Sequence, residues 1–68
     1  MISYNPLWHT LLDKNLNKTQ LQELISCSSR TITTMSKNEY VALSVIDRIC
    51  CALDCKIEDV IEHIKEDA

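Results

Sequence analysis

The stretch from Asn17 to Lys37, NKTQLQELISCSSRTITTMSK, constrains this chain more than any other. Leu21, Leu24 and Ile25 recur at i, i+3 and i+4, which predicts a short helix from Lys18 to Ile25. Asn17 suits the N-cap, and Gln20 stands three residues on, where its side chain can reach back to the cap's N–H. Ser26-Cys27-Ser28 then reads as a tight turn. Ser28 caps a second helix, Ser29 to Ser36.

The second helix has an unusual surface. At about 100° per residue, Ile32 and Met35 fall close together and can face a core. Ser29, Arg30, Thr33 and Thr34 fall on the other side. A solvated helix face usually carries Glu, Lys or Gln. Thr and Ser are poorer helix formers, because they lose rotamer freedom or compete for backbone hydrogen bonds. A run so rich in them gives up helix propensity. Close approach of short hydroxyls and one guanidinium to another surface would account for that.

These two helices and their turn resemble the helix-turn-helix of the lambda-repressor-like (Cro/Xre) family of DNA-binding proteins. The residues that carry the resemblance are Leu16-Asn17-Lys18, Leu21, Ile25, Ser26-Cys27-Ser28, Thr31-Ile32 and Met35. It continues through Leu43-Ser44, Ile49, Ala52-Leu53-Asp54-Cys55 and Ile57 to Ile61, covering roughly residues 5 to 62. The resemblance implies an all-α, compact five-helix domain over residues 1–68, with the helix-turn-helix at 17–37.

At 68 residues the chain suffices for one domain. A domain of about 60 residues buries only about 60% of its unfolded surface, so its stability is marginal and dimerisation would help. Hydrophobic residues make up 46%, which argues against disorder. No apolar run approaches the ~20 residues of a membrane span, and no signal-peptide pattern is visible. A cytoplasmic location with no membrane partner is expected.

The net charge of −3 opposes nucleic-acid binding at first sight. Its distribution says more. Residues 1 to 37 hold Lys14, Lys18, Arg30 and Lys37 against Asp13 and Glu23, a balance of +2. Residues 38 to 68 hold three basic residues and eight acids, a balance of −5. Positive charge is concentrated around the helix-turn-helix, and non-specific DNA binding should be weak.

Elsewhere, Ile2 and Tyr4 alternate with Ser3 as in a short extended arm, one that could pair near Ile64. Asn5-Pro6 reads as cap and first residue of a helix. Leu7, Trp8, Leu11 and Leu12 form its apolar stripe, with Trp8 assigned to the core rather than to a partner surface. His9 is expected at the surface. The chain has no Gly, and Asn15, Ser26 and Asp54 stand where the family often has one. Asn and Asp enter the left-handed region readily and Ser less so.

Ser36 to Leu43 reads as a loop. Its Lys37, Asn38 and Tyr40 suit phosphate contact, although a solvated connection explains them too, and Tyr40 could equally pack. Ser44 reads as the next cap, ahead of Val45, Ile46, Ile49, Cys50 and Leu53. Ile57, Val60, Ile61 and Ile64 have the spacing of a last helix, although Lys56 offers no cap. Glu58 and Asp59 suit that helix's first turn, and Lys65 to Ala68 should fray.

Cys27, Cys50, Cys51 and Cys55 do not form paired Cys-x-x-Cys motifs, and adjacent Cys50-Cys51 converge poorly on one ion. They read as small hydrophobes, with Cys51 the most exposed candidate for thiol chemistry. No metal or other cofactor is expected. Nor is an enzyme, since no Ser-His-Asp order, Gly-rich phosphate loop or placed carboxylate pair is evident.

Residue chemistry nominates Arg30 for guanine O6 and N7, and Ser29, Thr33 and Thr34 for bases or phosphates. Without the helix-turn-helix context Arg30 would be an ordinary solvated residue. The resemblance places base contact on Ser29, Arg30 and Thr34, sets Lys18 against the backbone or a flanking base, where Lys favours phosphate, and gives backbone contact to Ser28, Thr33 and Lys37; Asn38 joins them by residue type. It implies a DNA-binding regulator, a repressor by expectation, that binds a palindromic operator as a homodimer through Ile57, Ile61 and Ile64. The main alternative is a protein-interaction module on the same fold, an antitoxin-like or repressor-binding partner. A thiol or metal sensor is a third.

Overall fold

A computed structural model describes residues 1–65. In chain order it contains strand β1 (Ile2–Ser3), helices α1 (Asn5–Asp13), α2 (Lys18–Ile25), α3 (Ser29–Ser36) and α4 (Leu43–Leu53), a 3-10 turn at Ile57–Asp59, and strand β2 (Glu62–His63). The two strands pair antiparallel, Ile2 opposite His63 and Ser3 opposite Glu62. The pairing extends to Met1 and Ile64, where the Ile64 N–H donates to the Met1 carbonyl at 2.8 Å. The extended arm expected at the N-terminus is therefore present, with its partner where the sequence placed it.

One core joins every helix. Leu7 and Leu11 come from α1, Leu21 and Ile25 from α2, Ile32 and Met35 from α3, and Ile46, Ile49 and Leu53 from α4. Tyr4 and Val60 close it from the two chain ends. Burying one such aliphatic side chain contributes about 1.5–3 kcal/mol. The helix-turn-helix thus draws its support from residues at both ends of the sequence.

The five-helix expectation fails at the C-terminus. Residues 57 to 64 form a single 3-10 turn and a strand, so Ile57, Ile61 and Ile64 do not share a helical face. The segment is rich in β-branched residues, which favour strands, and β1 offers it a partner. Two bonds fasten it to α1. The Leu7 N–H donates to the Val60 carbonyl at 3.2 Å, and Thr10 Oγ1 donates to the Asp59 carbonyl at 2.7 Å. The Asp59 carboxylate accepts from the Lys56 N–H at 3.1 Å, closing the turn that Lys56 cannot cap with its own side chain. Of the expected frayed tail, residues 66–68 lie outside the described residues.

Two cap assignments also shift. Helix α1 begins at Asn5 itself and is capped from Tyr4 without a side-chain bond. Other groups satisfy its free N–H groups instead: distant Asn38 Oδ1 for Tyr4, neighbouring Ser3 Oγ for Asn5, and the distant Val60 carbonyl for Leu7. Helix α4 begins at Leu43 with Ala42 at the cap position, so Ser44 lies inside the helix. Leu12 and Leu24, expected in apolar stripes, are 71% and 53% exposed. They flank the narrower strips Leu7–Leu11 and Leu21–Ile25. Trp8 is half-buried, packed against the core but open on one side.

All four helices end in one closure. A left-handed residue, Asn15, Ser26, Asn38 or Asp54, has φ between 51° and 57°. The N–H that follows it then bonds back five residues: Leu16 to Leu11, Cys27 to Gln22, Glu39 to Thr34, and Cys55 to Cys50. Glycine commonly supplies this geometry. Here Asn, Asp and Ser replace it throughout.

Candidate nucleic-acid interface

Local sequence fixes the helix-turn-helix. Asn17 Oδ1 accepts from the Gln20 N–H at 2.8 Å, and Gln20 Oε1 accepts from the Asn17 N–H at 2.9 Å. This reciprocal pair opens α2. Ser26 at φ 54° ends it and turns the chain, and half-buried Cys27 packs against the core. Ser28 Oγ then accepts from the Thr31 N–H at 3.4 Å to open α3. Burial holds the Cys27 thiol above its ordinary pKa, partly offset by Arg48, so it remains a neutral packing group.

Helix α3 has two unlike faces. Ile32 is 8% exposed and Met35 fully buried, which presses one side onto the core. Ser28, Ser29, Arg30, Thr33 and Lys37 are exposed, and Thr34 is half-exposed. Residues 57–63 pack on α1, α4 and β1, and these five side chains of the α3 face stay exposed among the described residues.

Three of the five hydroxyls on α3 are already committed as donors. Thr33 Oγ1 donates to the Ser29 carbonyl at 3.0 Å, Thr34 Oγ1 to the Arg30 carbonyl at 2.9 Å, and Ser36 Oγ to the Ile32 carbonyl at 3.0 Å. Back-bonding of this kind is available to Ser and Thr inside helices. It leaves oxygen lone pairs, and on the threonines a methyl group, for whatever meets the face. Arg30 supplies the fork of donors.

Lys18 stands at one flank of this face. Its Nζ donates to Ser36 Oγ at 3.0 Å and lies 4.4 Å from the centroid of the Trp8 ring. The partnership joins α1, α2 and α3, and no periodicity or motif foretold it. Asn38 is also more occupied than its sequence suggests. It is half-buried at φ 57°, and its Oδ1 accepts from the Tyr4 N–H at 3.2 Å. Beside it, Tyr4 Oη donates to the Glu39 carbonyl at 2.8 Å. Burial pushes the Tyr4 phenol up, so it stays a donor. Tyr40 is 78% exposed and does not pack.

Among the described residues, no three His, Cys, Asp or Glu side chains converge as a metal site would require. Cys51 is exposed, while Cys50 and Cys55 pack against the core. Burial, and then the neighbouring Cys50, hold the Cys55 thiol high. No helix among the described residues is long and apolar enough to cross a membrane.

A half-exposed hydroxyl-and-guanidinium helix, braced by a capped partner helix across a left-handed turn, defines a helix-turn-helix domain. Residues 6–66 match the model of the Cro/C1-type HTH DNA-binding domain, and the chain belongs to that family. Among solved structures it is similar to the transcriptional regulator VanUg in its crystal form II. The two share 40% identity and superpose with a TM-score of 0.91, over 96% of this chain and 87% of that one. No curated protein matches the chain.

Proposed function

We propose that the chain, a single domain over residues 1–68, is a sequence-specific regulator of transcription, acting as a repressor. Helix α3 would lie in the major groove of double-stranded DNA. The observation that carries this reading is the exposed face of α3, set on a core that fixes its orientation. Arg30 would meet guanine O6 and N7, and Ser29 and Thr34 neighbouring base edges. With their protons turned to the helix, the threonines suit thymine methyls or the amino groups of adenine and cytosine. Ser28, Thr33, Lys18 and Lys37 would meet the backbone, and Asn38 would do so through its amide NH2 alone. The similarity to a transcriptional regulator supports the same role.

The reading extends to a homodimer on a palindromic operator. Its contact remains with Ile57, Ile61 and Ile64, now in the 3-10 turn and on either side of β2. Ile57 is 52% exposed, and Ile61 is partly buried against the core.

In vitro selection from a random duplex pool tests the reading. Enrichment of a palindrome supports it, and Arg30→Ala should then cost about 1–3 kcal/mol on the selected site and relax one base pair. Failure to enrich any sequence, together with a stable complex formed with another protein, would favour the interaction module instead.

A further inference from the structure

Trp8 is the chain's single Trp, and one side of its ring is left open by the core. The Lys18 ammonium occupies that position, 4.4 Å from the ring centroid. The same ammonium donates to Ser36 Oγ at 3.0 Å, and Ser36 Oγ in turn donates to the Ile32 carbonyl at 3.0 Å. Three helices therefore fix one surface charge. A lysine carries four rotatable side-chain bonds and usually spreads its charge over many rotamers, so ordering it on binding costs entropy. Here that ordering precedes any ligand.

The position of the charge matters as much as its fixity. At about 100° per residue, Ser36 falls beside Ser29 and Thr33 on α3. The ammonium therefore sits along one edge of the exposed face, not at its centre. An ammonium has three N–H donors. One goes to Ser36 and the ring takes up part of the charge, which leaves donors for an external anion. A helix lying in a major groove is flanked by phosphates, and an edge cation meets one of them.

We propose that Trp8, Lys18 and Ser36 form a pre-ordered phosphate clamp, in which Lys18 makes the contact and Trp8 and Ser36 are positioning residues. The inference rests on the DNA-binding reading and adds to it the role of Trp8. The competing account is a purely structural stitch between α1, α2 and α3. Coupling measured in DNA affinity separates the two, because a stitch would affect binding independently of the charge at position 18.

The test uses the full chain and a duplex that it selects from a random pool, titrated over a range of salt. Lys18→Met should reduce the steepness of log K against log salt by about 0.9 for each copy on the duplex. Trp8→Leu should weaken binding about two- to fivefold, the range of an exposed cation–π contact. In the Lys18→Met background the same substitution should have no further effect, and Trp8→Phe should retain most of the wild-type affinity. Where thermal melting shows that Trp8→Leu is unfolded, Ser36→Ala replaces it in the same cycle, since Ser36 lies at the surface. An unchanged salt slope in Lys18→Met, or equal losses in both backgrounds, overturns the clamp while leaving DNA binding in place. Failure of the wild-type chain to select any duplex that it binds overturns the clamp and the proposed function together.

Discussion

Residues 17–37 and residues 56–65 carry similar apolar spacing and fold in opposite ways. Leu21–Ile25 and Ile32–Met35 lie on helices, whereas Ile57 opens a 3-10 turn, Val60 and Ile61 lie between that turn and β2, and Ile64 lies just past β2. The difference lies at the ends of the segments. Asn17 with Gln20, and Ser28 with Thr31, satisfy N–H groups that a helix would otherwise leave open. Lys56 has no acceptor to offer, and its own N–H turns to Asp59. The second segment is also β-branched at four apolar positions and finds β1 within reach. Spacing proposes a helix, but caps and competing partners decide whether it forms.

The comparison can be broken by altering each region in turn. The largest effect is expected beneath the recognition helix. Met35 is fully buried, and Met35→Ala should destabilise the chain by about 2–5 kcal/mol in urea unfolding. In so small a domain that is a large share of the total, and a cost under about 1 kcal/mol would mean that α3 is not anchored as described. Asn17→Ala removes one side of the reciprocal cap and should cost about 1 kcal/mol. Loss of helix by circular dichroism should accompany it.

Ser26→Gly should act in the other direction. The left-handed conformation costs a non-Gly residue roughly 1–2 kcal/mol, and Gly gives back about half of that gain as backbone entropy. A net stabilisation of about 0.5–1 kcal/mol is expected, read as a higher urea midpoint at unchanged slope. The smallest effect belongs to the C-terminal segment. Lys56→Ser supplies a capping side chain but leaves the β1 pairing intact. Stability should move by no more than about 0.5 kcal/mol, with no gain of helix signal. A clear gain would show that the missing cap alone kept residues 57 to 64 from forming a helix.

Much of the fold was legible because it depends on short-range chemistry. The helix-turn-helix boundaries, the Asn17 and Ser28 caps and left-handed Asn15 follow from residues a few positions apart, whereas left-handed Ser26 and Asp54 are expected from the family's glycines. What was hidden depends on pairs distant in sequence. Asn5 and Ser44 look like caps, yet α1 is closed by distant Asn38 and Val60 as well as by neighbouring Ser3, and α4 begins two residues earlier than a Ser44 cap implies. Asn38 reads as a loop residue suited to phosphate. Its left-handed backbone and its bond to Tyr4 appear only when the N-terminal arm is in place. At the interface the exposed side of α3 could be read from its hydroxyl content, whereas the Trp8–Lys18–Ser36 partnership could not, since it joins three helices.

The central claim is that the outer face of α3, and not the strand pair, is the surface that meets DNA. Amide and side-chain NMR shifts of the full chain, followed as a selected duplex is added, test it most directly. The account predicts the largest changes at residues 28–37 and at Lys18, and smaller ones at Ile57, Ile61 and Ile64 where the two copies meet on the palindrome. Changes confined to the strand pair, or a face of α3 that stays silent while the duplex is bound, would contradict it.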